Sequence, residues 1–146
     1  MDQDAIRAYV ADACPGTNVV DGTIEIAVGD TFFIYDPARD LPDGQQMPFA
    51  TIVTKDYPGW DEASNLNREG VWRLNVGVGR ETLRSLFAED ATHDATALDR
   101  LMPHPIYATQ GWVCVLNPSA ETFERVKPLL REAYEIAKAR VERRRK

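Results

Sequence analysis

Apolar residues open the chain at helical spacing. Ala5, Ile6, Tyr9, Val10 and Ala13 recur in steps of three and four, which predicts a helix over 2–13, stopped by Pro15-Gly16. The period then changes. Ile24, Ile26 and Val28 alternate with Thr23, Glu25 and Ala27, and Gly29-Asp30 leads into Thr31-Phe32-Phe33-Ile34-Tyr35. Alternation, a turn dipeptide and a dense run of β-formers predict a hairpin of strands 23–28 and 31–35.

Further strands are predicted over 49–54, 70–76 and 111–116, separated by polar connections rich in Pro, Gly and Asp at 36–46 and 56–69. A short helix over 80–87 is expected to bury Leu83, Leu86 and Phe87. Residues 88–105 read as irregular, with a helical turn at 96–101. After Asn117-Pro118, Ser119 is placed to cap a final helix, because its hydroxyl can accept from an early backbone N–H. Phe123, Val126, Leu130, Ala133, Tyr134, Ala137 and Val141 form its core-facing stripe. Pro128 either costs this helix one hydrogen bond and kinks it, or marks its true start. The order of elements predicts an α+β fold, an antiparallel sheet with N-terminal and long C-terminal helices, as a single domain over 1–146.

With 146 residues, 44% of them hydrophobic and 27% charged, the chain can bury roughly 70% of its unfolded surface, which excludes general disorder. No stretch approaches the ~18 apolar residues of a membrane span. The acidic start lacks the apolar run of a secretory signal, and Cys14 and Cys114 make no disulfide framework, so a soluble cytoplasmic protein is expected. The net charge of −6 is unevenly distributed. Residues 138–146 hold six of the 17 basic and one of the 23 acidic groups; the preceding 11 basic and 22 acidic groups leave a body of −11 against an end of +5. Such a body repels phosphate backbones, and the basic end reads as a helix terminus whose cations offset the helix dipole.

No strong catalytic or cofactor motif is present. Val76-Gly77-Val78-Gly79 lacks the third glycine and the lysine of a phosphate loop and reads as small residues at a bend. His93 and His104 belong to no ligand pair, so no metal, cofactor or catalytic residue is assigned. Two runs stand out. Lys55-Asp56-Tyr57-Pro58-Gly59-Trp60-Asp61 gathers a cation, carboxylates and two rings at a turn, a composition that can wall a pocket while Lys55 fixes an anion. In the second, Pro103 and Pro105 bracket His104 ahead of Tyr107 and Trp112. The candidate ligand-binding set is Lys55, Tyr57, Trp60, Arg73, His104, Tyr107 and Trp112. Cys114, between Val113 and Val115, is expected to be packed rather than reactive.

Residues 47–61 (opening Met47-Pro48-Phe49-Ala50 and closing Tyr57-Pro58-Gly59-Trp60-Asp61), Arg73-Leu74-Asn75-Val76-Gly77-Val78, and 104–118 (opening His104-Pro105-Ile106-Tyr107) resemble the bacterial domain-of-unknown-function 6194 family along nearly the whole chain. That resemblance brings no activity. Phe49-Ala50, the strand from Leu74 running into a short helix, Trp112-Val113 and Tyr134 in the last helix are more distantly similar to the MmcQ/YjbR-like proteins. This implies a compact CyaY-like α+β architecture, in which some members are suggested to bind DNA through wing-like hairpins. The chain departs from them where Tyr107, Ala108, Thr109 and Gln110 replace the histidine and basic residues common before the tryptophan strand. The resulting expectation is a non-enzymatic module binding a small molecule or a protein, with a homodimer possible and no membrane or nucleic-acid partner. The alternatives are an enzyme using His104 as acid or base, and weak nucleic-acid binding through the basic end.

Overall fold

The computed structural model of the protein describes residues 1–145, apart from the side chain of Glu25. Helix α1 (Gln3–Ala13) starts where Asp2 accepts from the Ala5 N–H at 2.8 Å, and it buries Ile6 and Val10. Strands β1 (Thr17–Asp21), β2 (Thr31–Tyr35), β3 (Ala50–Val53) and β4 (Arg73–Gly77) follow. Then come helix α2 (Arg80–Leu86), a two-residue strand β5 (Met102–Pro103), β6 (Trp112–Leu116) and helix α3 (Ala120–Arg144). The six strands form one antiparallel sheet in the order β1-β2-β3-β4-β6-β5. The architecture is the α+β arrangement that the order of elements predicts. Among the described residues, no helix is long and apolar enough to cross a membrane.

Strand periodicity divides this sheet cleanly. Phe33, Ala50, Ile52, Leu74, Val76, Val113 and Val115 face the helices and pack against Ile6 and Val10 of α1. Phe123, Val126, Leu130, Ala133, Tyr134, Ala137 and Val141 of α3 complete this core, and all seven are buried, as their spacing requires. Tyr134 meets Tyr35 and Phe49 edge-on at 5.7 and 5.9 Å. Ser119 caps α3 by accepting from the Thr122 N–H at 3.1 Å. The helix continues through Pro128 rather than starting there. Its basic end extends to Arg144, and Lys146 lies outside the described residues.

Three expectations are corrected. The partner of β2 is β1, Thr17–Asp21, and not residues 23–28, which form a 3-10 turn with Ile24 and Val28 exposed. Alternation is a local signal, whereas pairing follows burial. The chain leaves α1 at Cys14 and arrives beside β2 with Val19 opposite Phe33 and packed on the core. Helix α2 buries none of its residues fully: Leu83 and Phe87 are half-buried against the core and Leu86 is exposed, because one short amphipathic turn covers only the sheet end. No helix forms at 96–101; Asp94 accepts from both the Thr96 N–H and hydroxyl, and the chain turns there.

Candidate functional site

The face of the sheet turned away from the helices carries Phe32, Thr51, Val53, Arg73, Asn75, Trp112, Cys114 and Leu116, the alternate residues of the same strands. Two loops cover it. Residues 54–72 are pinned by Asp56, which accepts from the Leu66 N–H at 2.7 Å, and by Arg68, which donates to the Ser64 and Thr96 carbonyls. Leu66 anchors this loop in a small apolar cluster with Val53, Met102, Cys114 and Leu116. The second loop, 104–111, begins with the His104 N–H donating to the Trp112 carbonyl. It ends at Gly111, whose φ is +87° and whose missing Cβ would lie 2.5 Å from the Gly79 Cα; only glycine allows this approach of the loop to the β4–α2 turn.

Between the loops lies a pocket of about 380 Å³. Its floor is Phe32, Thr51, Asn75 and Trp112, and its walls include Met47, Tyr57, Trp60, His104 and Tyr107. Trp112 lies over Gly77, its register partner, where an added Cβ would meet the indole at 3.1 Å. At the rim the Trp60 indole N–H donates to the Tyr107 hydroxyl at 2.8 Å, closing one side although Trp60 is 64% exposed. Tyr107 also sits against the His104 ring, with centroids 4.9 Å apart.

Beneath the pocket lies Arg73, a fully buried cation at the start of β4. Asp61 pairs with it two-pronged, Oδ1 at 3.1 Å from Nη1 and Oδ2 bonded to Nη2. Ser64 Oγ accepts from Nη1 at 2.9 Å and Asn75 Oδ1 from Nε at 2.7 Å. Asn75 in turn donates to Thr51 Oγ1 at 2.9 Å, which ties the network to the pocket floor.

His104 is 3% exposed, and its Nδ1 accepts from the backbone N–H groups of Ile106 and Tyr107, each at 3.1 Å. A neutral ring has one acceptor nitrogen, so these partners assign the proton to Nε2. Nε2 lies 3.1 Å from Arg73 Nη2. With the proton on Nε2 both groups are donors, so this contact is not a hydrogen bond. Burial, reinforced by the Arg73 charge and opposed by Asp61, pushes the His104 pKa down to about 3. The ring is therefore neutral at physiological pH and is not poised for acid–base work.

Of the seven candidate residues, Tyr57, Trp60, His104, Tyr107 and Trp112 line the pocket, and Arg73 lies under its floor. Lys55 is directed elsewhere: its Nζ donates to the Val28 carbonyl, tying β3 to the 3-10 turn, and it does not line the pocket. The Tyr57 hydroxyl donates to the buried Asp30, which also accepts from the Thr54 N–H and hydroxyl. Burial and this carboxylate raise the Tyr57 pKa, so the phenol keeps its proton. Burial pushes the Cys114 thiol up to about 12, which leaves it unreactive.

Sequence reasoning missed Asp61 as the Arg73 partner, and Thr51 and Asn75 as floor. The available signal was Arg73, Asn75 and Thr51 at alternate positions of otherwise apolar strands, since polar groups there need partners on the covered face. A larger hollow of about 710 Å³ lies along α2, but its polar side chains Arg80, Arg84, Glu89 and His93 are all exposed. Arg80 Nε donates to the Thr109 carbonyl there, but no buried polar network like that of the sheet face lies beneath it among the described residues. Among the described residues, no group of three or more His, Cys, Asp or Glu is placed to hold a metal ion.

No curated protein and no solved structure shows a significant match to the chain, and no comparison supports the more distant MmcQ/YjbR-like similarity. One family profile does match, over residues 1–146, and its segments include every strand and loop that builds the pocket. The chain belongs to DUF6194, a family of unknown function.

Proposed function

We propose that the protein is a non-enzymatic binding module whose ligand is a small, flat, largely apolar molecule held in the sheet-face pocket. The observation that carries this reading is the pocket's construction: aromatic side chains gathered around two polar floor groups, Thr51 and Asn75, that a buried network fixes. Rings supply contact area at little conformational cost, and a preformed wall reduces the entropy lost on binding. Acid–base catalysis at His104 finds little support, because the ring is neutral, buried, and turned onto its own backbone. Nucleic-acid binding through the basic end is disfavoured by the −11 body.

The test is a thermal-shift screen of metabolites and nucleotides, repeated on Trp60→Ala. A ligand present at a hundred times its Kd adds about 2.7 kcal/mol of stability. The exposed Trp60 contributes little to folding, so the variant is expected to keep the unliganded melting temperature within about 2 °C and to lose most of the ligand-induced shift. A panel that produces no shift, or shifts that Trp60→Ala leaves intact, sinks the reading.

A further inference from the structure

The sheet-face pocket adjoins a further hollow at the sheet end. Met47, Pro48, Gln110 and Trp112 line it and also line a second recess of about 110 Å³. The other walls of that recess are Phe49, Gly77 and Gly79 at the end of the sheet, and Ala133, Ile136, Ala137 and Arg140 on α3. Met47 and Trp112 thus stand where the two hollows meet. Together the two hollows run from the loop-covered face over the sheet end to the flank of α3. Large apolar side chains left in water follow the same path: Trp60 at the rim, Met47 at the junction and Ile136 in the recess are all exposed without serving the core.

The charges along this path are unequal. Asp61, the charged side chain of the pocket wall, is neutralised by Arg73. Arg140, the charged side chain of the recess, is exposed and makes no ion pair among the described residues. It also stands in the basic stretch 138–146 of an otherwise acidic chain, which favours an anion there. An apolar trough ending at one uncompensated guanidinium is complementary to an amphipathic anion. A single guanidinium matches the charge and fork geometry of a carboxylate.

We propose that the ligand is an elongated amphipathic monoanion. Its apolar ring system fills the sheet-face pocket, its chain crosses between Met47 and Trp112, and its carboxylate pairs with Arg140. The proposal rests on the pocket reading above and adds the chemical class of the ligand and a second contact point. It also relocates the anion-fixing cation, which the sequence suggests is Lys55, to the C-terminal helix.

The experiment is calorimetric titration of the full-length protein with indole-3-butyrate and with its neutral amide, at low and high salt, on wild type, Arg140→Gln, Arg140→Lys and Arg143→Gln. Wild type is expected to bind the acid roughly tenfold more tightly than the amide, as a charge-assisted hydrogen bond to a carboxylate provides. Arg140→Gln should remove that preference while leaving amide binding unchanged, Arg140→Lys should restore part of it, and Arg143→Gln should keep it. Added salt should narrow the difference. Equal affinity for acid and amide in wild type, or a preference that survives Arg140→Gln, overturns the anion inference and leaves the pocket reading standing. Failure of wild type to bind either probe counts against the pocket itself, and the inference falls with it.

Discussion

Arg73 and Leu74 are neighbours on β4, both fully buried, and they belong to opposite worlds. Leu74 points into the helix face, where apolar contacts from α1, α3 and four strands share the packing and no single partner is indispensable. Arg73 points into the loop face, where its charge is tolerated because Asp61, Ser64 and Asn75 each supply an acceptor at a set position. The helix face gains stability from area, which is non-directional. The loop face gains geometry from directional bonds, and that geometry is what a binding pocket needs. A sheet whose one side is already stabilised by two helices can carry a polar, partly open second side.

The comparison breaks most visibly at Asp61. Asp61→Ala leaves a guanidinium buried without its counter-charge and is expected to cost about 3–5 kcal/mol, read by urea denaturation. Leu74→Ala on the other face should cost about 2–5 kcal/mol by cavity formation. An Asp61→Ala loss below about 1 kcal/mol would mean that Arg73 reaches water or another partner.

A pH titration sharpens the contrast, because the buried group whose protonation changes stability between pH 5 and 7, His104, lies on the loop face. The His104 pKa is lowered to about 3 in the folded protein, against about 6.5 for an unperturbed histidine. Between these values the unfolded chain binds a proton that the folded one refuses. Stability is therefore fully present above about pH 6.5 and falls as the pH drops toward 3, with a slope of up to about 1.4 kcal/mol per unit. Above pH 5 few carboxylates interfere, so denaturation midpoints at pH 5, 6 and 7 isolate the effect. In His104→Gln the decline over that window should largely vanish; a slope equal to wild type would place the ring in water.

On the helix face the matching perturbation is Ser119→Ala, which removes the acceptor for the Thr122 N–H at the start of α3. A cost of about 1 kcal/mol, independent of pH between 5 and 7, is expected from thermal melts. A cost near zero would show that α3 is held by its packed stripe alone.

The two faces also differ in how legible they are in the sequence. Alternation and helical spacing mark Leu74, Val76, Val113 and the α3 stripe directly, because a nonspecific apolar pattern is all that face requires. The edge strand β1 escapes the same signal: 17–21 alternates less well than 23–28, and the choice between them is made by the exit of α1 and by Val19 against Phe33. On the loop face, rings clustered at Pro-Gly and His-Pro turns reveal Trp60, His104 and Tyr107, yet they do not reveal their depth. Lys55 looks like the cation of the site, but its Nζ is spent on the Val28 carbonyl, a partner 27 residues away. Arg140 looks like one member of a solvated basic end until α3 is seen passing the sheet end beside Gly77 and Met47. Local composition reports chemistry, and long-range topology decides which of it converges.

The finest test of the division is one methyl group at Gly77. Its backbone needs no positive φ, so alanine is conformationally allowed there, and it trims the entropy of the unfolded chain by about 0.4–1 kcal/mol. Opposing this, the new Cβ would sit 3.1 Å from the Trp112 indole and press it a few tenths of an ångström toward the pocket. Folding stability of Gly77→Ala should therefore stay within about 1 kcal/mol of wild type, while indole-3-butyrate binding weakens, because the displaced indole floors the pocket and borders the recess. The helix face registers none of this, since Val76 and Val78 keep their places on either side. Unchanged affinity in a normally folded Gly77→Ala protein would mean that the ligand does not touch Trp112, and that the loop face binds, if at all, through its rim alone.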